Sequence, residues 1–419
     1  MNDMADIDKG LSFVKQGTLK EGTSVLAEKE MFVEVGSVQT QKAGNEVCGD
    51  VFLSHKISEE NRTIVILSDG LGSGIKANVL ATMTASMAMN FIKVNSPVEH
   101  TARIIMMTLP VDRFRKISFS SFTILDIMGN RQVKMIEYGN PPVLIVRKNS
   151  LIETEKTEVA VVGSRVKQKI FVSTYKAEKN DRIILFSDGI TQSGIGNADM
   201  PFGWERENAA RWITETISGQ ETISAAALSG KILARALRND AFTARDDCSC
   251  GVVYFREPRK ILFCSGPPYR SDNDKYLAGR VRDYKGKVII SGGTTAQIVA
   301  RELKREIITR IDKDLNGLPP DSEMEGVDLV TEGILTIGKV SGYLENLAQL
   351  KDDIPGPAGK IIALFNGNDE IEFLVGTRVN EAHQDPNLPV ELEIRRNVIK
   401  KIARLLADKF LKKVSIMYV

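Results

Sequence analysis

Two apolar runs in this chain end in the same three residues. "IVILSDGLGSGIKA" occupies 64–77 and "RIILFSDGITQSG" occupies 182–194. Each begins as a strand-length stretch of large apolar side chains, the pattern of a strand covered on both faces. Each then meets Ser-Asp-Gly: Ser68-Asp69-Gly70 and Ser187-Asp188-Gly189. Strand propensity and desolvation both oppose an isolated carboxylate there. One Asp-Gly alone reads as a turn dipeptide. Two copies behind buried strands ask for sheets whose edges bring both carboxylates to one task.

The rest of the chain is compatible with that demand. Its 419 residues are enough for two or three domains on a prior of roughly 100–200 residues each. Hydrophobic residues make up 42% and charged residues 26%, with a formal net charge of +2. That balance argues against nucleic acid or a membrane surface as the main partner. No apolar run approaches the roughly 18–20 residues of a membrane span. The opening "MNDMADIDKG" is polar and acidic, unlike a secretory signal, so a cytoplasmic location is expected. Cys48, Cys248, Cys250 and Cys264 are not spaced as a zinc knuckle, and only His55, His100 and His383 could assist them. Cys248 and Cys250 fit an alternating strand with both thiols on one face.

Residues 1–30 read as a lead-in. From residue 31 strands dominate: "MFVEVGSVQTQ", "DVFLSHKIS" and "RTIVILSDG". Residues 75–93 have helical spacing. "SFSSFTILDIMGNRQVKMIEYGNPPVLIVRK" reads as three strands of an antiparallel meander, joined by Gly-Asn and Gly-Asn-Pro-Pro turns. Two strands at 170–190, helices over 206–238 and a last strand in "DDCSCGVVYF" complete an α+β layered sandwich over 31–257. Beyond 258 strands alternate with helices, which indicates a smaller α/β domain over 258–419. No flexible Gly/Ser linker separates the two, so they are expected to pack together.

Four acidic stretches then stand out: Asp50 in "CGDVF", Asp69-Gly70, Asp188-Gly189, and Asp246-Asp247 in "ARDDCS". Carboxylates converging on one place repel each other, and hard divalent cations relieve that repulsion. Glycine after Asp lets a backbone carbonyl approach an ion. Two bridged ions can activate a shared water and clamp a phosphoryl oxygen.

The order "GDVF … SDGLGSGIKA … FSDGITQSG … DDCS" resembles the metal-dependent protein phosphatase (PPM, phosphatase 2C-like) family, in particular its SpoIIE-like bacterial branch. "VDRFRKISFSSFTILDI" and "MIEYGNPPVLIVRK" resemble that branch's central strands. The resemblance spans about 31–255 and implies an αββα sandwich of two antiparallel sheets around two Mn2+ or Mg2+ ions. By motif, Asp69 would bridge the ions and the Gly70 carbonyl would complete one shell. Asp188 and Asp246 would hold the second ion, and Asp50 would bind or orient water near the first. Asp246 is preferred to Asp247 on the family pattern, and because adjacent strand residues point to opposite faces. Leu71 stands where eukaryotic members carry His, as in the SpoIIE-like branch, and Ser249 stands for the commoner Thr. In that branch the helices after the metal turn are regulatory; for 75–93 ordinary core packing is the plainer reading.

Other residues have more modest expectations. Arg113, Arg115 and Lys116 can grip a phosphate or lie in a solvated turn, and Lys76 opens a helix near the acidic turn. Cys48 and Cys248 flank proposed ligands and read best as buried small hydrophobes. In the second domain, "SGGTTAQ" places Gly292, Gly293, Thr294 and Thr295 between a strand and a helix, the makings of an anion site. Glu332 sits at a second strand–helix junction. Residues 393–414 form a basic amphipathic helix whose Val398–Ile402–Leu405 face packs on this domain.

The expected function is therefore a metal-dependent serine/threonine phosphatase, with metal-activated water attacking a phosphorylated regulatory protein, of STAS type by analogy. The second domain is expected to be regulatory and to sense a small anionic ligand. Two alternatives stay open: a catalytically silent phosphatase-fold module, or a C-terminal domain acting on a phosphorylated metabolite.

Overall fold

A computed structural model describes residues 31–57, 59–108, 120–160, 169–309, 318–347, 354–378, 388–410 and 412–419. The lead-in 1–30 and Arg113, Arg115 and Lys116 lie outside these residues. The chain divides into two compact units, one ending at Glu257 and the other running from Pro258 to Val419.

The first unit begins with β1 (Phe32–Thr40), β2 (Asp50–Ile57) and β3 (Arg62–Gly70), then α1 (Ile75–Lys93) and α2 (Val98–Thr108). There follow β4 (Ser120–Met128), β5 (Gln132–Tyr138), β6 (Leu144–Arg147), β7 (Ser150–Leu151), β8 (Thr157–Ala160), β9 (Lys169–Lys176) and β10 (Arg182–Phe186). A single-turn α3 (Asp188–Thr191), then α4 (Arg206–Gly219), α5 (Ala225–Asn239) and β11 (Cys248–Arg256) close it.

Two antiparallel sheets result, ordered β1-β11-β10-β6-β7 and β2-β3-β4-β5-β9-β8. Strand alternation explains why they stack. Val65, Leu67, Leu125 and Ile127 of one sheet meet Val33, Ile183, Leu185 and Val253 of the other in a central core. The opposite faces are also apolar. Ile64, Ile66 and Ile124 pack under α1 and α2, while Ile184, Cys250 and Val252 pack under α4 and α5. The order of layers is helix, sheet, sheet, helix, an αββα sandwich. Cys248 and Cys250 share the α4–α5 core, as an alternating strand requires.

The stretch 118–148 is not a meander, because only β4 and β5 pair as a hairpin. The third strand, β6, leaves to pair with β10 in the other sheet. Gly139 takes φ 77°, and the following Asn140-Pro141-Pro142 cannot extend a ladder because proline has no N–H. The kink hands the chain from one sheet to the other.

The second unit comprises β12 (Lys260–Ser265), α6 (Asp274–Asp283), β13 (Lys287–Ser291), α7 (Gly293–Leu303), β14 (Ile308–Thr309), β15 (Ser322–Met324) and β16 (Val327–Thr331). It continues through α8 (Ile334–Asn346), α9 (Gly356–Asn366), β17 (Glu370–Val375), α10 (Leu388–Asp408) and β18 (Lys413–Tyr418). Its sheet runs β14-β15-β16-β13-β12-β17-β18, with the last five strands parallel. Residues of α6 and α7 cover one face, and those of α8, α9 and α10 cover the other. This is a doubly wound α/β sheet. On α10 the buried stripe is Ile399, Ile402, Ala403 and Leu406, with Val398 and Leu405 at its flanks.

Candidate functional site

The acidic residues meet at strand ends of the two sheets of the first unit. Asp50 opens β2 and Asp69 lies one residue from the end of β3, directly opposite it in the antiparallel ladder. The Asp69 backbone is pinned from β4, where Ser120 Oγ donates to its carbonyl at 3.0 Å. The backbone of Asp50 is held from β1, where Gln39 Nε2 donates to its carbonyl at 3.1 Å. Asp188 follows β10 as the first residue of α3, and Gln192 Nε2 donates to its Oδ2 at 2.9 Å. Asp246 and Asp247 precede β11.

An open cleft of about 760 Å³ is lined by Asp69, Gly70, Asp188, Asp246 and Asp247, with Lys42 beside them. Asp50 is not on its wall; it is only 3% exposed. Both its carboxylate oxygens are buried without a hydrogen-bond partner. Burial, followed by the charges of Asp247 and Asp188, raises its affinity for a proton. The Ser187 and Ser249 hydroxyls lie close enough to oppose that trend, without bonding to it. Burial likewise raises the pKa of Asp69, with repulsion from Asp50, Asp188 and Asp246 adding to it. Asp188 shifts upward for the same reasons, burial first and Asp246 second.

Such an electrostatic state favours a bound cation. Crowded, desolvated carboxylates, of which Asp50 has no hydrogen-bond donor on either oxygen, form the hard-oxygen set that suits Mg2+ or Mn2+. Asp50, Asp69, Asp188 and Asp246, with the Gly70 carbonyl, are the residues available. Among the described residues, however, no three or more His, Cys, Asp or Glu stand as a ready-made cluster closed around one ion.

The glycines after the acids have a steric reason. A Cβ on Gly70 would lie 2.1 Å from the Ala77 carbonyl oxygen of α1. One on Gly189 would lie 2.2 Å from the Asp247 carbonyl oxygen. Helix α1 approaches this closely because its buried face is led by Ala77, Ala81, Ala85 and Ala88, with Met89 and Ile92 only toward its far end, while Ile75, Val79 and Met83 are exposed. Lys76 is exposed as well.

Alternation along a strand does not separate Asp246 from Asp247, since both precede β11 and both line the cleft. Hydrogen bonding does distinguish them. Asp247 Oδ1 accepts the Lys42 backbone N–H at 2.9 Å, and its Oδ2 packs where a Cβ on Gly49 would stand, 2.6 Å away. Asp247 thus ties the loop before β2 to the start of β11. Asp246 Oδ1 accepts only a neighbouring N–H, that of Asp247, at 2.9 Å. Sequence reading did not single out Lys42; the polar loop "QTQKAGNEVCGD" leading into Asp50 was the available signal.

Residues 59–256 match the family model described as Stage II sporulation protein E (SpoIIE). This segment is a SpoIIE-type phosphatase domain. Asp50 and Lys42 lie just ahead of the matched residues. No curated protein sequence matches the chain. Among solved structures, the SpoIIE phosphatase domain from Bacillus subtilis is similar at 17% identity and TM-score 0.41, covering 55% of this chain and 95% of that one. RsbX in complex with magnesium is similar at 19% identity and TM-score 0.37, covering 54% and 97%. The catalytic domain of the serine/threonine phosphatase PstP with two manganese ions is similar at 14% identity and TM-score 0.38, covering 54% and 99%. In the second unit, no helix of the described residues, nor any in the SpoIIE-type domain, is long and apolar enough to cross a membrane.

Proposed function

We propose that the SpoIIE-type domain hydrolyses phosphoserine or phosphothreonine in a regulatory protein, of STAS type by family analogy. The observation that carries this reading is the convergence of Asp69, Asp188 and Asp246 on one cleft, with the unpartnered Asp50 carboxylate behind it. Asp50, Asp69, Asp188, Asp246 and the Gly70 carbonyl would hold two divalent ions, Mn2+ or Mg2+. When bound, such ions supply Lewis acidity and a water nucleophile at neutral pH.

The chain's own groups do the rest. Lys42, on the cleft wall, is the cation at hand to offset phosphate charge. Asp247 fixes the Lys42 backbone and so sets where that cation starts. Leu71 lines the cleft and cannot donate a proton, so none comes from a side chain at that place. Cys248 and Cys250 are fully buried under α4 and α5, which keeps their thiols from serving as nucleophiles.

A second reading, a silent binding module, draws support from the absence of a closed cluster among the described residues. One experiment separates the two. Hydrolysis of an aryl phosphate and of a phosphoserine peptide is measured with Mn2+, Mg2+ and EDTA. The phosphatase reading expects turnover that EDTA abolishes and Mn2+ restores. Full turnover in metal-free EDTA, or none with either ion, rejects it.

A further inference from the structure

The second unit has a polar cluster that the phosphatase chemistry does not use. It lies at the carboxyl ends of the parallel strands, the edge where doubly wound sheets bind ligands. Ser265, Ser291 and Thr331 end β12, β13 and β16 and are neighbours in register. Ser291 Oγ and Thr331 Oγ1 both donate to the Glu332 carbonyl, at 3.0 and 2.9 Å. Ser265 does not share in this: its Oγ is buried without a partner, in a residue with 0% exposure.

Two helices start at the same spot. Gly292 caps α7 and Gly333 caps α8. A Cβ on Gly333 would stand 3.4 Å from the Gly292 Cα, and Gly292 N–H donates to the Thr331 carbonyl at 2.9 Å. Gly292 has φ 131°, which a side chain rarely tolerates. Each helix carries a threonine in its first turn. Thr295 is 1% exposed and Thr336 is 0% exposed, and neither hydroxyl has a hydrogen-bond partner. Thr295 Oγ1 lies under the cap, 3.4 Å from where a Cβ on Gly292 would be. Between the junctions Glu332 Oε2 is also buried and unpartnered.

Buried polar groups in folded proteins are nearly always bonded, and each exception asks for a reason. Here Ser265, Thr295, Glu332 and Thr336 are exceptions in one neighbourhood, alongside two converging helix N-termini. The N-termini favour an anion. The carboxylate of Glu332 needs a donor. We propose that this edge binds a small anionic metabolite with a hydroxyl or ammonium group next to its anionic group. The phosphate or carboxylate would take the N-terminal N–H groups of α7 and α8 with the Ser265 and Thr295 hydroxyls. The adjacent donor would satisfy Glu332. This deepens the expected role of Gly292, Gly293, Thr294 and Thr295 by adding residues from two further strand ends, and it stands independently of the phosphatase reading.

The test is calorimetry on the full chain in EDTA, with Asp69→Asn as a control for binding in the phosphatase cleft. The probes are inorganic phosphate, glycerol 3-phosphate, L-malate and L-serine. We expect one-to-one binding of a phosphorylated or a carboxylate probe, unchanged by Asp69→Asn, with the stronger arm naming the anion. Ser265→Ala and Thr295→Val should each weaken it about tenfold, the loss of one hydrogen bond to a charged group. Glu332→Gln should weaken the donor-bearing probe more than inorganic phosphate. Failure of every probe to bind at about 10 mM, a very weak limit, overturns the proposal. So does binding that survives the double variant Ser265→Ala/Thr295→Val. Ligand-free melting supplies a second check: unpartnered hydroxyls contribute nothing to the fold, so the double variant should melt no lower than the parent. A drop of several degrees would show that they are bonded within the fold and would also overturn it.

Discussion

Asp50 has two buried carboxylate oxygens and nothing to bond them, facing Asp69 across the ladder. Without a cation this arrangement opposes folding, so neutralising it should help. Asp50→Asn is expected to raise the melting temperature by a few degrees in EDTA and to lose most of the rise that Mn2+ gives the parent. Scanning calorimetry with and without Mn2+ checks both halves; a variant less stable in EDTA yet fully Mn2+-responsive contradicts the metal assignment. If Asp69 holds metal as proposed, Asp69→Asn should lower the phosphatase rate by more than about 100-fold, because ligand loss would also remove the water nucleophile the ions would supply. Asp246→Asn should weaken Mn2+ binding in titration calorimetry more than Asp247→Asn does, whereas Asp247→Ala should lower the melting temperature by freeing the Lys42 loop. The four acids were legible because each sits in a short motif with Gly or a second Asp beside it. Lys42 and the structural role of Asp247 were not, because a backbone N–H bonding across 205 residues leaves no trace in local pattern.

At the scale of elements, strands were legible wherever burial alternates or saturates, as in β3, β10 and β11. What could not be read was which sheet a strand joins. The Gly139–Pro142 kink looks like any hairpin turn until β6 is seen beside β10. The far end of β3 is held by another non-local contact. Arg62 Nε and Nη2 bond Asp126 Oδ1 and Oδ2 at 2.7 and 2.8 Å, joining β3 to β4. The two side chains are only 4% and 5% exposed. Asp126→Ala leaves the buried guanidinium only Glu60 Oε2, at 3.4 Å, and Asn95 Oδ1, so it should destabilise the first unit by about 3 kcal/mol, the low end for a broken buried pair. Urea unfolding followed by the fluorescence of Trp204, in that unit's core, and Trp212, packed against it, measures this. A change below about 1 kcal/mol would place the pair among weak surface bridges.

The whole molecule joins an antiparallel sandwich to a doubly wound sheet, and the switch in grammar near residue 258 was plain from the sequence. The role of the second unit was not. Its strand–helix junctions revealed a glycine-threonine turn, but Ser265 and Thr336 come from other elements and only the fold brings them near it. We expect its ligand to act as an input to the phosphatase. The measurement is the Mn2+ affinity of the full chain with and without the anion that binds the second unit. Coupling must be reciprocal, so any factor by which the anion changes Mn2+ affinity must reappear in the effect of Mn2+ on the anion. Equal Mn2+ affinities in both conditions would mean that the units share a chain without sharing a signal.

The contacts at Gly70 and Gly189 also bear on how a lineage of such chains can drift. A steric clash between side chains can be cured by a compensating change in the partner. Here the obstructing atoms are the backbone carbonyl oxygens of Ala77 and Asp247, which every amino acid carries. No second substitution at those partners can make room. A descendant that replaces Gly70 must therefore move helix α1, and one that replaces Gly189 must move the start of β11 and Asp247 with it. These two positions, read together with the acids, therefore mark copies that have kept the same cleft geometry.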